Sequence, residues 1–116
     1  MNKEFNIHKR IFNFVISVLN LIKSLPKTSQ NLILINQITR SVTSIGANAQ
    51  EADGSSSRKD FFHCFTITKK ETKETNYWLA VIAATNTAAK KEIEDLIHEG
   101  KEIEAIVSAI VKKSKS

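Results

Sequence analysis

Histidine and carboxylate side chains are the first residues to test for chemistry, and their spacing completes no metal site. Asp95-x-x-His98 is similar to one of the two Glu-x-x-His pairs that hold paired metal ions inside some four-helix bundles. Such a centre also needs a second pair and two further carboxylates. The first two predicted helices supply only Glu4 and Glu51, both near helix ends. We therefore predict no metal centre, and a metalloenzyme stays open only if the purified protein carries iron or manganese.

His63 and Cys64 are a base and a nucleophile side by side. Adjacent positions on a helix diverge by about 100 degrees, so the two side chains do not face each other. The sequence also has no glycine-rich phosphate loop, no Gly-x-Ser-x-Gly elbow and no dinucleotide fingerprint. We therefore predict no catalytic residues, no cofactor and no enzymatic activity.

Positive charge is the remaining chemical signal. The chain has 17 basic and 12 acidic residues, a net charge of +5. Residues 1–91 carry thirteen basic and six acidic side chains, whereas residues 92–116 carry four and six. Basic clusters can contact phosphates, so we predict RNA or DNA as a partner and the following contact residues: Arg40, Arg58, Lys59, Lys69, Lys70 and Lys73. The alternative is an ordinary solvated helix face, since Glu71 and Glu74 dilute the positive charge of the lysine cluster.

The elements that position these residues are predicted to be helices. Three glycines and one proline are few for 116 residues, which favours long helices over a sheet with many turns. Four helices are expected in one domain over 1–116, at roughly 4–25, 29–52, 57–85 and 88–113. Thr28 or Ser29, Ser57 and Thr87 are the predicted N-caps. Short connections place neighbouring helices antiparallel, which predicts an all-α, up-down-up-down four-helix bundle.

Helical spacing also predicts what the bundle buries. Thr68, Thr72 and Thr75 interrupt the apolar stripe of the third helix and are expected to bond to carbonyls of their own helix, with a functional polar channel as the alternative. Gly46 lies in a run of small residues within the second helix, and a mid-helix glycine costs about 1 kcal/mol. We therefore expect another backbone to pack closely against it.

The N-terminal region resembles a secretory signal, since basic residues precede an apolar run. A polar stripe with helical spacing interrupts that run, so we predict an amphipathic helix instead. No uncharged run reaches the ~18 residues of a membrane span, and the single cysteine excludes an intrachain disulfide. A cytoplasmic protein without membrane association is expected.

Tyr77 and Trp78 are adjacent large aromatic residues on the third helix. Both residue types are enriched where protein surfaces associate. We predict them as subunit-interface residues, Tyr77 more than Trp78, for which ordinary core packing is the alternative.

Four segments together resemble the bacterial four helix bundle protein family. They are Ile38-Thr39-Arg40-Ser41, Ser44-Ile45-Gly46-Ala47-Asn48-Ala49-Gln50-Glu51, and Ser57-Arg58-Lys59-Asp60-Phe61, followed by Lys73-Glu74-Thr75-Asn76-Tyr77-Trp78-Leu79. The chain departs from the family pattern at Thr39, where an arginine is usual, and at Ala52, where a glycine is usual. The first departure weakens the transfer of a basic binding role to the second helix.

This family includes proteins encoded in intervening sequences of 23S ribosomal RNA genes, and it is similar to accessory proteins of diversity-generating retroelements. The resemblance implies a homopentameric ring of four-helix protomers and a link to nucleic acid. For a retroelement-associated protein it also implies a reverse transcriptase as partner. The resulting hypothesis is a non-enzymatic, nucleic-acid-associated accessory or scaffold protein, with a pure protein-interaction scaffold as the alternative.

Overall fold

Four helices run back and forth along a body of 45 × 25 × 20 Å in the computed structural model, which describes residues 7–115. They are α1 (Ile7–Lys23), α2 (Ser29–Asp53), α3 (Arg58–Thr85) and α4 (Lys90–Lys112), with short 3-10 turns at Thr87–Ala89 and Lys113–Lys115. Each helix packs on the next one in the chain, and α1 also packs on α4. The described residues contain no strand, which confirms the all-α class and the four helices.

The helix ends follow local hydrogen bonding. Thr28 caps α2 by accepting from the amide of Asn31 at 3.1 Å, and Ser57 caps α3 by accepting from the amide of Asp60 at 3.1 Å. The helix α1 ends at Lys23, two residues before the predicted end. The predicted residues 4–6 of this helix lie outside the described part of the chain.

The predicted cap at Thr87 is wrong. Thr87 lies in a 3-10 turn whose closing bond runs from the amide of Ala89 to the carbonyl of Asn86 at 3.0 Å. The helix α4 begins after this turn, at Lys90, and no side chain caps its first residue. The tight turn takes up three residues that the sequence pattern assigned mostly to the helix.

The core is built from apolar stripes at the predicted spacing. One face of α1 buries Ile7, Ile11, Phe14, Val18 and Ile22, and α2 buries Ile38, Val42, Ile45, Ala49 and Ala52. Phe65, Leu79 and Ile82 of α3 and Ile93, Ile103, Val107 and Ile110 of α4 complete it. None of the described helices is both long enough and apolar enough to cross a membrane.

The hydroxyls in the middle of α3 are buried and satisfied. Thr68 donates to the carbonyl of Cys64 at 3.0 Å, and Thr72 donates to that of Thr68 at 2.7 Å. Thr75 instead donates across the helix contact to Oγ of Ser41 on α2 at 2.8 Å. Bonding within the helix was therefore the right expectation for two of the three threonines, while the third ties α3 to α2.

The close backbone approach expected at Gly46 is not seen among the described residues, and the tight contact lies instead at Gly100, with side chains. A Cβ on Gly46 would meet only the side chain of Val15, at an ordinary 3.5 Å. A Cβ on Gly100 of α4 would overlap Oδ1 of Asn76 and lie 3.1 Å from Cζ of Phe14. The absence of a side chain at Gly100 is therefore what lets α3 and α4 pack around Asn76.

Candidate nucleic-acid interface

One end of the bundle gathers positive charge from three helices. The helix α1 begins there, α2 ends there, α3 begins there and α4 ends there, since neighbours are antiparallel. We call this the basic end and define its cations as Lys9, Arg58, Lys59, Lys112, Lys113 and Lys115. Its acidic residues are Glu51, Asp53 and Asp60. Only Arg58 and Lys59 of these cations were among the predicted contact residues.

The missed lysines could have been found from topology. Lys112, Lys113 and Lys115 are far from Arg58 in sequence, but an antiparallel α3 and α4 bring the end of one beside the beginning of the other. Arg58 donates from Nη2 to the carbonyl of Lys113 at 2.9 Å, which fixes this proximity.

An aromatic cleft opens at the basic end. The rings of Phe61 and Phe62 meet edge to face at 5.2 Å between centroids, and Phe61 lies 5.0 Å from Phe65. Cζ of Arg58 lies 4.8 Å from the centre of the Phe62 ring, a cation–π contact. Together with His8, these rings line an opening of about 310 Å³. Asp53 and Lys113 also line this opening, and Nε2 of His8 lies 3.0 Å from a carboxylate oxygen of Asp53.

Arg40 is paired with acidic residues. Its guanidinium lies 3.4 Å from a carboxylate oxygen of Glu71 on α3. It also donates to Glu74, one turn further along α3. Glu74 also accepts from Nε1 of Trp78 at 3.0 Å. The Trp78 hydrogen bond, followed by the Arg40 contacts, lowers the pKa of Glu74. Arg40 is exposed on α2, and its long side chain reaches across to these carboxylates on α3.

Lys73 is also paired. Its Nζ lies 3.0 Å from Oε2 of Glu104 on α4, while Nδ2 of Asn76 donates to Oε1 of the same carboxylate at 3.1 Å. Burial acts to raise the pKa of Glu104, but these two hydrogen bonds and nearby lysine charges outweigh it and leave that pKa lowered. Oδ1 of Asn76 is buried without a hydrogen-bond partner among the described residues.

The remaining predicted basic residues point outward. Lys59 and Lys70 are exposed and Lys69 is half-buried. None of the three forms an ion pair within the described part of the chain, although Lys70 acts electrostatically on Glu74. The six predicted cations therefore form no continuous patch, since two of them are neutralised by partners and one packs on an aromatic ring.

The two predicted interface residues behave differently. Tyr77 is 61% exposed, and its ring meets that of Trp78 at 5.1 Å between centroids. Trp78 is half-buried and packs against the core. Tyr77 also lines a shallow groove between α3 and α4 with Ala80, Ile97 and Lys101.

Sequence analysis missed the most exposed apolar side chains. Phe12 is 66% and Ile16 is 42% exposed, one turn apart on α1, and Leu32 and Ile33 at the start of α2 are 50% and 64% exposed. Phe12 borders an opening of about 320 Å³ between α1 and α2, with Val15 and Gly46 in its wall. The signal was present in the sequence, because Phe12 and Ile16 fall outside the buried stripe of α1.

The residues tested first for chemistry remain separate. His63, Asp95 and His98 are exposed, and Cys64 is a half-buried free thiol. Among residues 7–115, no group of three or more histidine, cysteine and acidic side chains could hold a metal ion.

Comparison with known proteins agrees with this architecture. The family profile described as 23S rRNA-intervening sequence protein matches residues 3–109. The chain belongs to this family. This family member is similar to a protein of unknown function from Bacteroides thetaiotaomicron, a member of the S23 ribosomal protein family whose crystal structure is known. The two share 33% sequence identity with a TM-score of 0.83, over 91% of this chain and 98% of the other. No curated protein matches the chain.

Proposed function

We propose that this protein is a non-enzymatic, homo-oligomeric accessory protein that binds nucleic acid in the cytoplasm through its basic end. The observation that carries the proposal is the convergence of six cations at one end of the bundle, against three acidic residues. Phosphate contacts of this kind release counterions, so they give binding that weakens steeply with salt. The membership of an intervening-sequence family supports RNA as the first nucleic acid to test.

Self-association is the second part of the proposal. A ring forms when one patch of a protomer binds a different patch of the next. Phe12 and Ile16 provide an apolar patch on the α1 side, and Tyr77 provides an aromatic one on α3, which is diagonal to α1. The proposed number of subunits, five, comes from the family resemblance. Five copies would repeat the basic end five times, and multivalency strengthens weak single contacts.

A direct test measures binding and assembly in one buffer. Fluorescence anisotropy with short labelled RNA and DNA, titrated from low to high salt, is combined with light scattering to give the mass of the assembly. We expect saturable binding whose affinity falls steeply with salt. An assembled protein that ignores both nucleic acids at low salt would contradict the proposal.

A protein-interaction scaffold is the second candidate. Leu32 and Ile33 favour it, because they expose apolar surface at the end of the bundle opposite the basic end. A reverse-transcriptase partner belongs to the proposal only if the gene lies beside a retroelement. Binding of neither RNA nor DNA, with a folded and assembled protein, would favour the scaffold.

A further inference from the structure

The aromatic cleft differs from the rest of the basic end in what it can accept. Its walls are mostly apolar, from phenylalanine rings and two isoleucines, and the opening of about 310 Å³ falls at the small end of the range for ligand sites. Asp53 and Lys113 also line it, Asp53 is paired with His8, and Arg58 covers Phe62. A flat, uncharged aromatic group therefore fits against the rings, while an anion fits beside the cations Arg58 and Lys113.

The apolar rings, together with the carboxylate of Asp53, favour the base over the phosphate as the part of a nucleotide that enters. A phosphate inside the cleft would lose its hydration among apolar rings and meet a negative charge 3.0 Å from His8. A nucleobase carries no charge, and its face can stack on phenylalanine rings or on the plane of an arginine guanidinium. Arg58 and Lys59, just outside, remain placed for the flanking phosphates.

We propose that this cleft, formed by His8, Phe61, Phe62 and Phe65, binds an unpaired nucleobase, so that the protein prefers single-stranded to duplex nucleic acid. The inference rests on the proposed function, because the basic end must first hold the backbone. Bases in a duplex are stacked within the helix and cannot enter such a cleft without being extruded. Single strands expose every base at no such cost.

The test uses the intact assembly and a 12-nucleotide single-stranded RNA carrying one 2-aminopurine, whose fluorescence changes when the base stacks on a ring. The matching duplex and the DNA version are the other probes. The variant Phe62→Leu keeps apolar volume but removes the ring, and we expect about a tenfold loss of affinity for the single strand. Its affinity for the duplex should not change.

Two further variants control this result. Phe12→Leu makes the same chemical change at an exposed phenylalanine outside the cleft and should keep single-strand binding. Arg58→Lys keeps the charge but removes the guanidinium plane over Phe62, and should reduce the preference for single strands even if Phe62→Leu fails to fold. Circular dichroism and light scattering check folding and assembly.

The outcomes separate the two proposals. Binding of an unpaired base in the cleft would be supported if the protein prefers the single strand and changes the 2-aminopurine fluorescence. Phe62→Leu must then abolish both effects. Equal, salt-sensitive binding of single strand and duplex, unchanged by either cleft variant, would overturn the cleft and leave the proposed function standing. No binding of any probe at low salt would overturn both.

Discussion

The middle of α3 and its beginning carry similar basic residues but use them in different ways. In the middle, Lys73 pairs with Glu104 of α4, and the facing Arg40 of α2 pairs with Glu71 and Glu74. At the beginning, Arg58 packs on Phe62, and Lys59 forms no ion pair within residues 7–115. The middle therefore pairs its cations with carboxylates, while Arg58 and Lys59 at the beginning have no carboxylate partner among the described residues and leave charge available for a ligand.

This difference teaches that a count of lysines and arginines does not measure the charge a surface offers. Half-buried Glu74 and Glu104 lie opposite cations on neighbouring helices, so the local net charge is small. Surface ion pairs of this kind add little stability, with a median of roughly 0–1 kcal/mol. Their main consequence is that the paired cations are less available to phosphates.

The largest expected effect tests whether the middle of the bundle is as tightly packed as its contacts indicate. Gly100→Ala would force a Cβ into Asn76 and Phe14, so we expect a loss of about 2 kcal/mol in the free energy of unfolding, as overpacking exceeds the gain in helix propensity. Gly46→Ala is the matched control, since its Cβ meets Val15 at 3.5 Å. It should be neutral or stabilising by up to about 1 kcal/mol.

Urea unfolding followed by circular dichroism measures both variants, at one protein concentration because the proposed self-association would add to stability. Equal effects of the two substitutions would mean that Asn76 moves aside without cost. The packing around Gly100 would then be no tighter than the packing around Gly46.

The next largest effect is on RNA affinity, which compares loss of charge at the basic end with loss of charge in the middle of the bundle. Lys59→Gln with Lys112→Gln removes two charges from the basic end, and Arg40→Gln with Lys73→Gln removes two from the middle. The total change in charge is the same. We expect about a tenfold weaker affinity for RNA and a salt dependence reduced by about two phosphate contacts for the first pair only. Similar losses for both pairs, measured by anisotropy, would show that net charge alone governs binding.

Most of the fold could be predicted from the sequence, because the apolar stripes have a clear helical period and Thr28 and Ser57 cap as expected. The pairing of charges could not, because it depends on which faces of neighbouring helices meet. Arg40 lies outside the buried stripe of α2, and its long side chain reaches Glu74 on α3. Spacing within one helix contains no information about which residues of the next helix lie within that reach.

The candidate site proposed at the basic end could be predicted only in part, for the same reason. Arg58 and Lys59 were found as a local cluster, but the lysines at the end of α4 join them only through the fold. The close contact at Gly100 was not predicted, because a glycine within a helix indicates close packing but does not identify the residue that packs against it. Its partner, Asn76, is a polar residue whose burial against α4 follows from the three-dimensional contact.

A smaller effect distinguishes the two ends of the hydrogen bond between α2 and α3. Ser41→Ala removes the acceptor of the Thr75 hydroxyl and leaves a buried donor to find another partner. Thr75→Val removes the donor, while Ser41 keeps its bond to the carbonyl of Ile38 at 3.3 Å. We expect Ser41→Ala to cost about 1 kcal/mol more than Thr75→Val in urea unfolding. The reverse order would indicate that Thr75 bonds readily to its own helix.

The smallest effect is the dependence of stability on pH, which the paired carboxylates of the middle should dominate. Folding lowers the pKa of Glu74 and Glu104 below the ordinary value of 4.5. Each therefore contributes stability that is present above pH 4.5 and is lost as the pH falls through the lowered pKa.

Glu104→Gln cannot lose this contribution, so the stability difference between it and the unsubstituted protein should shrink on acidification from pH 7 to pH 3. Glu94→Gln, at an exposed carboxylate without an ion pair in the described chain, is the control. A difference for Glu104→Gln that stays constant over this range would mean that the Lys73–Glu104 pair contributes no charge-dependent stability. The middle of α3 would then differ from its beginning in packing alone.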